Sequence, residues 1–333
     1  MDLKTAVGLC APAVSPRDVV PILKHLVCTD GDLIGSDGVT TVRARIGKQD
    51  AFTCDAERML YATNHGAGAH PLKVKVSGDR VQVTVGPLRC SMRSHDEATR
   101  ATYPCAPRPA PRDVGAWSPG AIDSLRAINT LVSTDATKVW ATGVRFDGKR
   151  MLATNNVVLA VADVTRTLPR CIVPKRSIDQ LLRVIDQMPG ALVGMVVEGN
   201  LAHFHVGPDV VVSTVLIAGE WPDVTPHLAA CENAKKWRPV DADMANAVDA
   251  LVRFVPAGFA PVLRLCGNRV STREADTQAE MILDGKETDA REFRGETLQL
   301  VLQHATEWDL EPFPNACAFR GPMLRGVFLG VRS

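Results

Sequence analysis

The chain has 333 residues, more than one ordinary core organises, and its 46% hydrophobic and 23% charged residues are globular proportions. A formal net charge of +1 excludes an indiscriminately basic nucleic-acid binder, but not a protein whose positive charge is gathered on one face. No apolar run approaches the ~20 residues that span a bilayer, and the opening MDLKTAVGLCAP lacks the basic and long apolar regions of a signal peptide. The cytoplasm is therefore the expected compartment. Nine cysteines without a CxxC pair read as buried free thiols.

Taken in chain order, the predicted elements recur. Helical stripes open in LKTAVGLCAP, IDSLRAINTLVST and MANAVDALVRFV, with Leu9, Leu131 and Leu251 at matching places. Strand, turn and strand follow in PILKHLVCTDGDLIGSDG, GVRFDGKRMLATNN and PVLRLCGNRVSTREAD. A second helix closes on the apolar pairs Met59-Leu60, Leu181-Leu182 and Leu300-Val301. Hairpins come next in VSGDRVQVTV and VEGNLAHFHV, where apolar and polar residues alternate after a turn-forming Gly. Each round ends on Gly-Pro and a short strand, in VGPLRCSMRS, VGPDVVVSTV and RGPMLRGVFL, spaced by 121 and 114 residues. Pro-rich Tyr103–Asp113 and the segment Trp221–Trp237 read as boundaries. The expectation is three tandem α+β domains, 1–113, 114–235 and 236–333, each with helices on one face and antiparallel sheet on the other.

On this repeat, four segments resemble the bacterial β sliding clamp of replicative DNA polymerase. PILKHL is similar to that family's Pro-Ile-Leu strand, and MLATNNVVLAV to its Ala-Thr-Asp-Gly-His-Arg-Leu-Ala-Val strand. CIVPKRSIDQLL resembles its Ile-Val-Pro-Arg-Lys helix start, and LIAGEWPDV its Leu-Ile-Asp-Gly-Arg-Phe-Pro-Asp-Tyr signature. The resemblance covers essentially the whole chain. It implies a head-to-tail homodimer, a ring of six domains around double-stranded DNA that slides without reading sequence and has no catalytic step. Its implied partners are a replicative DNA polymerase, an ATP-dependent clamp loader and other proteins carrying clamp-binding motifs; no cofactor is implied.

Three sites follow from the resemblance. A sliding surface contacts phosphates loosely through Lys and Arg, and helices lining the hole would present Lys175, Arg176 and Arg183, with Arg58 and Arg126 as further candidates. Arg17 and Lys138 match basic family positions; each of these cations also reads as an ordinary solvated charge. A cleft for partner peptides would have Thr154, Asn156, Val157, Val158 and Leu159 on one wall, with Pro222 and Phe259 contributing. Val327, Phe328, Leu329, Val331 and Arg332 would form the other wall. Here the chain departs from the family: the usual Gly-His-Arg is Asn156-Val157-Val158, and the usual Met-Pro-Met-Arg-Leu ending is Leu329–Ser333. A different cognate peptide is expected, although Val157 and Val158 also read as plain alternating strand residues. At the dimer seam, Tyr103 and Phe254 match apolar family positions, and each reads equally as an intradomain core aromatic.

Other chemistry is thinly represented. His203 and His205 share a strand face without an acidic or thiol neighbour in sequence, and read as packed or surface histidines rather than metal ligands. Asp30-Gly31-Asp32 reads as a hairpin turn. There is no GxSxG, HExxH or Gly-rich phosphate loop, so an enzyme is not expected. The rival reading is a clamp relative that serves as a protein-binding scaffold without encircling DNA.

Overall fold

The computed structural model of the chain describes residues 1–15, 20–65, 70–110, 115–256, 260–273, 278–283 and 290–331. The first round of elements is α1 (Leu3–Cys10), β1 (His25–Thr29), β2 (Asp32–Ser36), β3 (Thr40–Arg45), β4 (Phe52–Asp55) and α2 (Ala56–His65). It continues through β5 (Leu72–Ser77), β6 (Arg80–Val85), β7 (Leu88–Arg93) and the short α3 (Glu97–Ala101). The second round is α4 (Pro119–Asn129), β8 (Gly143–Thr154), β9 (Val158–Pro174), α5 (Lys175–Gln187), β10 (Val193–Glu198), β11 (Leu201–Val206), β12 (Val210–Val215) and α6 (Thr225–Glu232). The third opens with β13 (Arg238–Pro239), α7 (Met244–Phe254), β14 (Val262–Cys266), β15 (Arg269–Thr272) and β16 (Glu280–Ile282). It ends with β17 (Arg291–Arg294), α8 (Gly295–Leu302), β18 (Glu307–Asp309), β19 (Cys317–Arg320) and β20 (Arg325–Phe328). The expected α+β order thus runs three times, with the long β8 and β9 standing where the first round has four strands. No helix is long and apolar enough to cross a membrane among the described residues.

Backbone contacts divide the chain into two compact units. Unit 1 comprises Met1–Trp117 and Val173–Leu216. Its seven-stranded sheet runs β10-β11-β12-β3-β2-β1-β4, beside a three-stranded sheet β5-β6-β7. Antiparallel β12 and β3 join the second round to the first, with Val210 facing Ala44 and Val212 facing Val42. Helix α1 turns Ala6, Val7, Leu9 and Cys10 inward, and Asp2 caps it by accepting from the Thr5 N–H at 2.9 Å. It packs so closely on β2 that a Cβ at Gly35 would overlap the Cys10 carbonyl oxygen. Helix α5 is pinned to the β3–β12 junction through buried Ser177, whose hydroxyl lies 2.7 Å from the hydroxyls of both Thr40 and Thr214.

Unit 2 comprises Ser118–Ile172 and Ile217–Ser333. Its six-stranded sheet runs β13-β18-β19-β20-β9-β8, and a four-stranded sheet runs β16-β15-β14-β17. Antiparallel β20 and β9 join the third round to the second, with Gly326 facing Ala160 and Val327 facing Leu159. Alternation along β20 sends Phe328 to the interior, 5.3 Å from the ring of Phe293, and Val327 to the other face. That other face is covered by Trp221 and by Leu228 and Cys231 of α6. Segment 221–237, expected as a boundary, therefore contains a helix that caps a sheet.

Each Gly-Pro opens the turn before the last strand of its round. The turns differ in length, pairing Val85 with Leu88, Val206 with Val210, and Arg320 with Arg325. Gly86 has φ +57°, which suits the first place of a two-residue hairpin turn. The nine cysteines are free; five are buried, three half-buried and Cys266 exposed, so burial is a property of the majority and not of all.

Candidate nucleic-acid interface and partner cleft

The helix cations do not form a uniform basic face. Arg58 and Arg126 are exposed on α2 and α4. Lys175 pairs with Asp179 one turn on, at 3.0 Å, and Arg176 pairs with Asp37 at 2.9 Å. Arg183 turns inward: its Nε and one terminal nitrogen are buried without a hydrogen-bond partner among the described residues, and burial lowers its pKa. The expectation that Arg183 lines an open hole is not met, because the Nε and one terminal nitrogen of its guanidinium are enclosed by the fold. Lys138 is exposed and donates to the Asn156 side chain at 3.1 Å. Arg17 lies outside the described residues. The helices α1, α2, α4, α5, α7 and α8 together carry seven Lys and Arg against six Asp and Glu, so their summed charge is close to zero.

A second set of cations, absent from the sequence candidates, stands on β5–β7: Lys73, Lys75, Arg80, Arg89 and Arg93 are all exposed. Its signal was the strict alternation in LKVKVSGDRVQVTVGPLRCSMR. By contrast, Arg43, Arg45 and Arg108 converge on the buried Asp32 carboxylate at 3.0–3.4 Å and are spent on structure.

The cleft residues separate by strand alternation. Val158 and Phe328 are fully buried in the interior, so they cannot line a groove. Leu159 and Val327 face the other way but lie beneath Trp221 and α6. Thr154 is buried and bridges the turn, donating to the Val158 carbonyl at 2.7 Å and accepting from the Asn156 N–H at 3.0 Å. Asn156 takes φ +73° there, a conformation Asn tolerates better than a β-branched residue. Half-buried Val157 accepts a backbone hydrogen bond from Leu329 at 3.0 Å, which places it next to that 42% exposed side chain. Pro222 is exposed beside Trp221, and Val331 is half-buried. Phe259 and Arg332 lie outside the described residues. The sequence reading missed the aromatic cover: Trp140 meets Trp221 edge-on at 5.2 Å, and the Arg320 guanidinium stacks on Trp237 at 4.4 Å.

Of the two seam aromatics, Tyr103 is an interior residue. Its ring packs with Leu23, Val27 and Ile34, and its hydroxyl donates to the His25 carbonyl and accepts from the Ser36 N–H, both at 2.9 Å. A side chain so enclosed has no face to offer a second subunit. Phe254, the last residue of α7, is 52% exposed. Beside α2, a groove of about 570 Å³ is lined by Arg58, Tyr61, Leu88, Cys90 and Met92.

His203 is buried with its Nδ1 2.8 Å from the Ser213 hydroxyl, and no cluster of metal ligands occurs among the described residues.

No family model and no curated protein sequence matches the chain. Solved structures do. A sliding clamp (DNA polymerase III subunit beta) from Bartonella birtlesii, bound to griselimycin, matches at TM-score 0.82 and 18% identity, over 99% of this chain and 97% of that one. The DNA polymerase sliding clamp from Bacillus subtilis matches at TM-score 0.83 and 18% identity, over the same shares. A DNA polymerase III beta subunit structure from Eubacterium rectale matches at TM-score 0.83 and 12% identity, over 99% and 96%. The chain has the fold of the bacterial β sliding clamp, in a sequence far diverged from those relatives.

Proposed function

We propose that two copies of this chain close head to tail into a ring that encircles duplex DNA and tethers a replicative polymerase, without a catalytic step of its own. The observation that carries this reading is a twice-repeated seam. The Gly-Pro strand β12 pairs with β3, and the Gly-Pro strand β20 pairs with β9. The remaining Gly-Pro strand, β7, ends the three-stranded sheet, and β16, the counterpart of β3, ends the four-stranded sheet. An open strand edge on each unit is a template for another chain, and a second copy supplies the complementary edge in each direction.

Internal equivalence also sets the register. Val270 faces Met281 as Leu33 faces Ala44, so Met281 holds the place of Ala44. Val85 faces Leu88 as Val206 faces Val210, so Leu88 holds the place of Val210. Because Val210 faces Ala44, Leu88 of one copy meets Met281 of the other, and Arg89 meets Glu280. The register thus sets apolar on apolar and cation on carboxylate. Tyr61 and the groove beside β7 supply apolar surface near the β7 edge, and Phe254 is exposed at the end of α7.

Partner peptides, from a polymerase or an ATP-dependent loader, dock by apolar side chains beside Val157, Leu329 and Pro222. Two or three anchors at ~1.5–3 kcal/mol each suit exchangeable binding after association costs. The aromatic cover favours a peptide other than the usual one for this fold.

The test is retention: a loaded ring stays on nicked circular DNA and runs off once that DNA is cut linear. Equal retention on both, or a monomer at micromolar concentration, would overturn encirclement. The balanced charge of the helices favours one rival, a protein-binding scaffold of the same fold. That rival predicts peptide binding with no topological retention.

A further inference from the structure

We infer that the open face of the β5–β6–β7 sheet is a second nucleic-acid contact surface, one that grips the phosphate backbone of duplex DNA from outside any ring. The pairing register builds it. Ser77, Arg80 and Arg93 form one row across the strands; Lys75, Gln82 and Ser91 form the next. Lys73, Thr84 and Arg89 form the third. Every outward position is a cation or a neutral hydrogen-bonding group, and none is acidic or apolar. The acid nearest in sequence is Asp79, in the β5–β6 turn.

The cations are not needed by the sheet itself. At the nine matching positions of β10–β12 the second round has no Lys or Arg, and Val196, His203 and Ser213 occupy the central row. Nor are they neutralised within the chain: among the described residues none of the five joins an ion pair, Arg80 makes only a 2.9 Å hydrogen bond to Ser91, and only Arg89 would meet a carboxylate, Glu280 of a second copy, in the proposed ring. Five like charges held within a patch of about 10 by 14 Å repel one another unless an anion covers them.

The chemistry of that anion follows from what the face lacks. Protein partners are gripped by buried aromatic and apolar anchors, and this face presents none. Single-stranded nucleic acid is held by bases stacked on aromatic rings, and no aromatic stands here. Phosphate backbones are met by Lys, Arg, Ser, Thr and Gln together, which is the composition of all three rows. Same-face residues on a strand repeat every ~6.7 Å, close to two axial phosphate steps of ~3.4 Å. The site is sequence-independent, and it rests on unit 1 alone, not on ring closure.

The experiment uses the full-length protein without a loader and a fluorescein-labelled linear duplex of thirty base pairs, read by anisotropy from low to high salt. The variant Lys73→Gln/Lys75→Gln/Arg80→Gln/Arg93→Gln should lower the slope of log affinity against log salt by about 3.6, near 0.9 for each of the four lost phosphate contacts. The variant Lys149→Gln/Arg166→Gln, which removes two exposed cations of β8 and β9, should retain the slope. An unchanged slope in the sheet variant overturns the inference. So does a polyglutamate probe that binds this face more tightly than the duplex, which would assign it to an acidic protein segment. A chain that fails circular retention but loses its slope in the sheet variant loses the ring and keeps this site; the converse result does the reverse.

Discussion

Arg176 lies 2.9 Å from Asp37, so a cation on the first turn of α5 is committed to the loop that leads into β3. The Asp37 side chain is 3% exposed and also accepts from the N–H groups of Val39 and Thr40 at 2.8 and 2.7 Å. Asp37→Ala strands those donors and should cost about 1–3 kcal/mol. Arg176→Ala removes an exposed partner only and should cost less than about 1 kcal/mol. Chemical denaturation of the two variants checks the ranking. Because the cation is already paired, Arg176→Ala should also shift the salt slope for duplex DNA by well under one unit.

That pair separates what the sequence could tell from what it could not. Helices, hairpins and Gly-Pro turns were legible because their signals lie within a few residues, as in the Gly86 turn. The Lys175–Asp179 pair is equally local, four residues apart on one helix face, but Lys175 is expected from the sequence to face the hole. Arg176 and Asp37 are far apart in sequence, and only the β3–β12 junction brings them together. Tyr103 read equally as seam or core, and its hydroxyl settles the matter by satisfying two buried backbone groups. The basic rows of β5–β7 needed cross-strand register, which alternation alone does not supply.

The seam register yields a charge-exchange prediction. Arg89→Glu places two carboxylates across the proposed edge and should weaken the homodimer by at least tenfold, read by sedimentation equilibrium. Glu280→Arg alone should weaken it similarly, setting two cations face to face. The double variant Arg89→Glu/Glu280→Arg should recover most of the loss. Additive losses in the double variant would sink the register, since coupling of opposed pairs is its direct consequence.

Ser177 tests how the second round is held to the first. Its hydroxyl meets those of Thr40 and Thr214, each at 2.7 Å, in a buried chain. Ser177→Ala leaves both threonines short of a partner and should cost about 1–3 kcal/mol. Ser177→Val adds volume to the same deficit and should cost more. Hydrogen exchange should show the loss at β3 and β12 first; protection unchanged there would mean the junction is held by apolar packing alone.

Acid sensitivity follows from the buried histidine. His203 is 1% exposed beside Ser213, and burial holds its pKa below the ordinary 6.5 despite Glu198, with His205 lowering it slightly further. His205 is lowered by burial in the same way. A base whose folded pKa is depressed binds its proton first in the unfolded chain, so it leaves stability intact above pH 6.5. As the pH falls below that value the unfolded state gains protons that the folded state refuses, and stability declines until the folded pKa is reached. Each such group contributes a slope of up to about 1.4 kcal/mol per pH unit in that window. His203→Gln should therefore flatten the fall in unfolding free energy between neutral pH and pH 5 by part of one proton, whatever it does to stability at pH 8. A slope identical to that of the unaltered chain would mean that His203 takes up its proton equally in the folded and unfolded states, and a steeper fall in the variant would mean that it is protonated in the fold and paired with Glu198.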